Sequence, residues 1–220
     1  MTASASDGRR VLLVGATGLV GRELHALLAD DPGVREVVAL VRRPLPDTVR
    51  HPRLREAVVD FEALDATPDL FAVDQVVCAL GTTIKQAGSP QAFRRVDFDY
   101  PLRVATLAHA HGARHFLLVS ALGADAGSRV FYNRVKGELE DAVRALGYRA
   151  ITIARPSLLE GARAEFRLGE VLASRLAFLV PGRWKPVHAR QVARSLVRAA
   201  ARDAKGVHIM ENQELRRAER

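Results

Sequence analysis

The chain has 220 residues, 26% of them charged and 48% hydrophobic, with a formal charge of +8 at pH 7. That length suits one domain with a sizeable core, and the single cysteine, Cys78, excludes an internal disulfide and any multi-cysteine zinc site. No apolar run approaches the roughly 18 residues needed to span a bilayer, and Met1 to Arg10 lacks the apolar centre of a signal peptide. A cytoplasmic protein is expected. The basic residues are four lysines (85, 136, 185 and 205) and otherwise arginines, scattered along the chain rather than gathered into a stripe. The charge therefore reads as compositional bias, and neither nucleic acid nor membrane is an expected partner.

Residues 1–9 read as a disordered tail, 10–212 as a single nucleotide-binding domain, and 213–220 as a basic tail. Apolar strand-like runs at 10–15, 36–41, 56–60, 75–80, 115–120, 149–154 and 206–210 alternate with helical patterns at 18–30, 90–111, 128–146, 166–178 and 189–202. Such alternation predicts an α/β fold, a doubly wound parallel sheet with helices on both faces. Ligands of such sheets bind beyond the carboxyl ends of the strands, where strand order reverses. Two regions interrupt the pattern. Residues 43–55 form a connection, and 155–188 form a loop-rich insertion suited to covering a substrate.

The first strand runs into Gly15-Ala16-Thr17-Gly18-Leu19-Val20-Gly21. Glycines at 15, 18 and 21 between a strand and a helix mark a dinucleotide-binding turn. The first permits the tight turn, the second lets a pyrophosphate reach the backbone, and the third lets helix pack on strand. The second strand ends in Val41-Arg42-Arg43-Pro44, with no acid at the position that meets the adenosine ribose. An acid there favours NAD and an arginine accommodates a 2′-phosphate, so NADP(H) is expected over NAD(H). Asp60, in Val59-Asp60-Phe61 at the end of the third strand, is placed to meet the adenine amino group. Cys78, within Val76 to Leu80, reads as a buried structural thiol.

Ser120 closes the fifth strand, and Tyr132-Asn133-Arg134-Val135-Lys136 follows on a helix. Four residues apart, Tyr132 and Lys136 share a face, where an ammonium favours the phenolate over the phenol. Ser120 is placed to hold a substrate oxygen against that tyrosine. His109, His111 and His115 read as helix-terminal and surface residues, and no metal site is expected. His188, Trp184 and Phe166 read as packing residues of the covering region, and Lys85 as a solvated lysine near the cofactor phosphate or substrate.

The chain resembles the short-chain dehydrogenase/reductase superfamily in its extended and atypical branches. The glycine turn, Val59-Asp60, Ala79-Leu80-Gly81, Ser120, Tyr132-x-x-x-Lys136 and Arg155-Pro156-Ser157 carry the likeness. Leu80-Gly81-Thr82-Thr83, Ala87-Gly88, Phe93-Arg94-Arg95-Val96-Asp97 and Arg155-Pro156-Ser157-Leu158-Leu159 narrow it to the HTATIP2-like (Tat-interacting-protein) subgroup. The resemblance implies that Gly15, Thr17, Gly18, Leu19, Val20 and Gly21 cradle the pyrophosphate, and that Arg42 and Arg43 take the 2′-phosphate. Asp60 and Phe61 would border the adenine, and Ala79, Leu80, Gly81 and Thr82 would lie along the cofactor. Lys136 would hold the nicotinamide ribose and activate Tyr132 as general acid, Ser120 would orient a substrate carbonyl, and Pro156 with Ser157 would sit against the carboxamide.

Where many active members carry an asparagine supporting a relay water, this chain has Asp97. Asp97 is placed either to hold that water or to pair with Lys136. The reading is an NADP(H)-dependent oxidoreductase acting on a small carbonyl or alcohol, as a monomer or homodimer. Two alternatives stay open: a cofactor-bound regulatory or redox-sensing protein with a protein partner, and an NAD-dependent sugar-nucleotide epimerase or dehydratase. About 65 residues follow Arg155, fewer than the substrate domain of the latter enzymes usually needs.

Overall fold

The computed structural model describes residues 8–160 and 184–217. Phe166, the helix expected at 166–178, residues 161–183 of the covering insertion, 1–7 and 218–220 lie outside the described residues, and the expected basic tail at 213–220 is helical as far as Arg217. The strands are β1 (Arg9–Val14), β2 (Val34–Val41), β3 (Leu54–Val58), β4 (Gln75–Cys78), β5 (His115–Val119), β6 (Ala150–Arg155), β7 (Leu159–Glu160), β8 (Val187–His188) and β9 (Gly206–Glu211). The helices are α1 (Leu19–Ala29), α2 (Ile84–Ala87), α3 (Pro90–Arg94), α4 (Tyr100–Ala110), α5 (Phe131–Ala145), α6 (Ala189–Arg202) and α7 (Asn212–Arg217).

Seven strands form one sheet in the order β3-β2-β1-β4-β5-β6-β9, and every neighbouring pair is parallel. This is the expected doubly wound α/β sheet. Strand order reverses between β1, which also pairs with β2, and β4, which leads on to β5. The crevice for a ligand therefore opens beyond Val14 and Cys78.

Both faces of the sheet are buried, which is why its central strands read as unbroken apolar runs. Val11 and Leu13 of β1 pack with Val20, Leu24 and Leu28 of α1 and with Val192 and Leu196 of α6. Leu12 and Val14 pack on the opposite side with Val104 and Ala108 of α4 and Leu139 and Val143 of α5. The two-residue period of a strand sends alternate side chains to the two layers.

The sequence pattern at 90–111 reads as one helix, and the structure inserts a π-turn at Arg95–Asp99 between α3 and α4. There the Tyr100 N–H donates to the Arg95 carbonyl, five residues back. Pro101 supplies the reason. It has no N–H for the Asp97 carbonyl, and its ring would clash with that carbonyl in an unbroken α-helix. One extra residue per turn relieves both, and such turns gather at functional sites.

Candidate functional site

The glycine turn is built as its spacing demands. Gly15 has φ +87°, and a Cβ there would lie 2.5 Å from the Ala79 carbonyl. A Cβ on Gly21 would lie 2.0 Å from the Gly15 oxygen. Gly18 differs: its nearest neighbour would be 3.4 Å away, an ordinary contact, so packing within the chain does not require glycine there. Gly18 also caps α1, which has no side-chain cap and no acid in its first turn. Its amides and positive dipole end are free for an anion.

Beside this turn lies a recess lined by Gly15, Ala16, Thr17, Leu40, Val41, Arg42, Arg43, Phe61 and Leu80. Arg42 and Arg43 are exposed, and neither has a carboxylate partner among the described residues. An open helix N-terminus, a glycine that packing does not require and two arginines without a carboxylate partner among the described residues fit a phosphorylated dinucleotide. Asp60 accepts the Glu62 N–H at 2.9 Å. Phe61 is buried against Tyr100 with ring centroids 5.3 Å apart. A larger cavity of about 530 Å³ lies under the β2–β3 connection, bounded by Leu45, Val49, His51 and Glu56. None of the expected catalytic residues lines it.

Tyr132 and Lys136 stand one turn apart on α5. The Tyr132 ring packs on Phe93 with centroids 5.5 Å apart, and Lys136 Nζ lies 2.7 Å from Asp97 Oδ1. Phe93 and Asp97 are thus also four apart, so two helices present matched pairs to each other. The ion pair is dry, its side chains 4% and 1% exposed. The Thr82 N–H donates to the other Asp97 oxygen at 2.8 Å, and a Cβ on Gly81 would come within 3.2 Å of Asp97 Oδ1. The chain segment after β4 therefore lies directly over the pair.

Burial alone would lower the pKa of Lys136, but the Asp97 carboxylate outweighs it and the net shift is upward. Burial pushes the Asp97 carboxyl up, against the pull of Lys136 and of the Thr82 N–H. The lysine's direction decides the charge state: a carboxylate touched by an ammonium and an amide N–H stays ionised, and the two titrate as a unit. Nearby Cys78 is held up at about 11 by burial and stays a neutral thiol.

Ser120 is where sequence and structure diverge. Its hydroxyl donates to Glu140 Oε1 at 2.6 Å, and Glu140 also receives Arg155 through Nε at 3.0 Å and a second nitrogen at 2.6 Å. Arg144 reaches the same carboxylate at 3.2 Å. A hydroxyl has one proton, so Ser120 would have to release Glu140 before it could hold a substrate carbonyl. Glu140, 1% exposed, was legible only as the third member of a Tyr132, Lys136, Glu140 series at four-residue spacing. Gly137 carries no such signal. A Cβ there would lie 2.2 Å from the backbone of Asp125 and Ala126, so this glycine lets the 121–130 loop cross α5 beside Lys136.

The Leu122 N–H donates to the Pro156 carbonyl at 2.8 Å, joining the segments after β5 and β6. The Ser157 hydroxyl donates to the Lys185 carbonyl at 2.7 Å, and its N–H donates to Asn212 Oδ1 at 3.0 Å. His188 caps α6 and lies 2.8 Å from Glu160, while Trp184 is half exposed. His109 packs at a tilt against Tyr148, and the His111 ring meets the Leu107 carbonyl. His115, expected at the surface, is instead 1% exposed, between Thr152 and Asp203. It occupies the amino end of β5, where the sheet's inner layer leaves no solvent. Among the described residues no three His, Cys, Asp or Glu side chains gather as a metal site, and no helix is long and apolar enough to cross a membrane.

A family model described as NAD(P)H-binding matches residues 15–203. Protein HTATIP2 of Rattus norvegicus is 37% identical over 195 residues, spanning 88% of this chain and 80% of that protein. A fungal relative, "Protein fmp52, mitochondrial" of Emericella nidulans, is 32% identical over 173 residues, 74% of this chain and 72% of its own. Among solved structures, MoeE5 in complex with UDP-glucose and NAD matches with a TM-score of 0.70 at 20% identity, over 91% of this chain and 74% of that one. A short-chain dehydrogenase/reductase superfamily protein from Agrobacterium tumefaciens with bound NAD also gives 0.70, at 16% identity over 92% and 77%. The chain belongs to the NAD(P)H-binding family and is similar to protein HTATIP2.

Proposed function

We propose that this protein is an NADP(H)-dependent oxidoreductase that moves hydride to or from a carbonyl or alcohol carbon of a small substrate. The observation that carries the reading is the placement of Tyr132 over a buried, charged Lys136 at the carboxyl end of the sheet. Gly15, Thr17, Gly18, Leu19, Val20 and Gly21 would hold the pyrophosphate, and Arg42 with Arg43 the 2′-phosphate. Asp60 and Phe61 would border the adenine. Ala79, Leu80, Gly81 and Thr82 would lie along the dinucleotide, with Pro156 and Ser157 near its far end.

The hydride that forms the new C–H bond at the carbonyl carbon would come from a reduced nicotinamide held by these residues. Tyr132 gives its phenolic proton to the carbonyl oxygen, and the phenolate left behind is stabilised by the Lys136 ammonium. A proton from solvent then restores the phenol. Ser120, tied to Glu140 and through it to Arg155, holds the ends of β5 and β6 against α5 and so keeps Tyr132 in register. A cytoplasmic location belongs to the same proposal, whereas the fungal relatives are named as mitochondrial.

Tyr132→Phe tests the assignment. Its turnover of a carbonyl panel with NADPH should fall by about 10²–10⁴-fold, the usual worth of a positioned acid. NADPH affinity, read by fluorescence titration, should stay within about twofold of wild type. Turnover at the wild-type rate would remove Tyr132 from the role.

Two observations favour a second reading. The Asp97 carboxylate offsets the charge of Lys136, and the Ser120 proton is spent on Glu140. Both weaken a catalytic site and suit a cofactor-bound regulatory protein. Tight NADPH binding with no turnover across the carbonyl panel would select it.

A further inference from the structure

We propose that the outer edge of β9 is a self-association surface, on which a second copy of this chain lays its own β9 antiparallel across a two-fold axis at His208. The two seven-stranded sheets then join into one. Nothing in this inference depends on the oxidoreductase reading. Among the described residues β9 has β6 on one side and no strand on the other. The opposite edge of the sheet differs. There β3 carries Arg55 and Glu56 in mid-strand, with Arg55 held by Glu36, and charges of this kind blunt an edge against pairing. β9 reads Gly-Val-His-Ile-Met-Glu, with no proline and no Asp, Glu, Lys or Arg before its last residue. It runs along β6 without a register shift, and Val207 and Ile209 are 49% and 38% exposed. A regular edge that shows β-branched side chains is a template for another strand.

The backbone selects the register. The Gly206 N–H donates to the Arg149 carbonyl at 3.0 Å, so Gly206, His208 and Met210 turn their peptide groups toward β6. Strand alternation turns those of Val207 and Ile209 outward. Two residues with outward peptide groups, set opposite each other in antiparallel strands, exchange both their hydrogen bonds. A two-fold axis at His208 sets Val207 against Ile209 of the second copy and Ile209 against the second copy's Val207. Both pairs make their bonds, and each stacks two aliphatic side chains on one face of the joined sheet. The same register brings exposed Lys205, at the start of each strand, to Glu211 at the end of the other, which is 52% exposed. An axis at Val207 would keep the bonds but oppose Ile209 to Lys205, and one at Ile209 would oppose Val207 to Glu211. Charge and apolar surface match their own copies only about His208.

The strand is tied to the candidate site. Glu211 meets Arg155 at 3.2 Å. The next residue, Asn212, accepts the Ser157 N–H at 3.0 Å and donates to the Lys185 carbonyl at 2.8 Å. A second copy on β9 therefore braces the strand that anchors the segment after β6.

Analytical ultracentrifugation of the full-length protein gives the first test. The wild type should show a concentration-dependent equilibrium between monomer and dimer. Ile209→Lys puts an ammonium on the paired edge and should leave a monomer with the wild-type circular dichroism. Val207→Lys carries the same test should Ile209→Lys fail to fold. Lys205→Glu opposes a like charge to Glu211 and should weaken the dimer at low salt by at least about threefold.

Cross-linking reads the register. The two His208 α-carbons face each other as a non-hydrogen-bonded pair, about 4.5 Å apart, within the span of a disulfide. Each Val207 lies two positions along from its own copy, beyond that span. Cys78 is buried and does not compete. With oxidised glutathione, His208→Cys should give a disulfide-linked dimer and Val207→Cys should not, whereas a mixture of Val207→Cys and Ile209→Cys should link as a heterodimer. A monomer at every concentration, a dimer untouched by both lysine variants, or linkage at Val207→Cys faster than at His208→Cys overturns the proposal.

Discussion

The α-carbon of Gly21 lies so close to the carbonyl of Gly15 that a side chain there would overlap its oxygen at 2.0 Å. The two glycines thus lock helix α1 against the end of β1, whereas Gly18 between them locks nothing within the chain. Packing within the chain demands glycine at two of the three positions and not at the third.

Gly21→Ala should therefore destabilise the fold itself, by about 1–3 kcal/mol for a forced backbone shift, as read by chemical denaturation. Gly18→Ala should stay within about 1 kcal/mol of wild type yet lose NADPH affinity by about tenfold or more, because its Cβ would point where a pyrophosphate approaches. Equal stability losses at the two positions would show that Gly18 is a packing glycine too.

Arg42 stands at the rim of the recess beside the glycine turn, with no carboxylate partner among the described residues. A charge-assisted contact to phosphate is worth about 1.5–3 kcal/mol. Arg42→Ala should then weaken NADPH by about tenfold to a hundredfold while NADH, lacking the 2′-phosphate, changes little. Isothermal titration with both nucleotides separates the outcomes, and equal losses for the two would assign the arginine to the shared diphosphate or to the fold.

His115 makes acid stability measurable at one residue. Burial pushes its pKa down from 6.5 to about 4, against the pull of Asp203 3.0 Å away. The unfolded chain therefore binds this proton before the folded one does. The contribution is complete above pH 6.5, is lost as the pH falls from there through about 4, and levels off below. Melting temperature should decline across the upper part of that window, where few carboxylates titrate, and His115→Asn should flatten the decline. An equal slope in the variant would assign the effect to other groups.

What the amino-acid order determined by itself was local. The glycine spacing, the alternation of apolar strands with helical stretches and the four-residue step from Tyr132 to Lys136 depend only on neighbours along the chain. They were sufficient for a parallel sheet, a nucleotide turn and a tyrosine–lysine pair. Tertiary structure decided the partners of those groups. Asp97 was open to two roles in the sequence, and packing of the π-turn on α5 chose the ion pair with Lys136 across 39 positions. Ser120 was read as facing substrate, but the register of β5 beside β6 and α5 turned its hydroxyl to Glu140, where Arg155 already held the carboxylate. A side chain's type and spacing announce the chemistry it can do. Which group receives its one proton or its one charge is settled only when distant segments are packed at ångström distance, in a dry interior where each polar atom must find a partner.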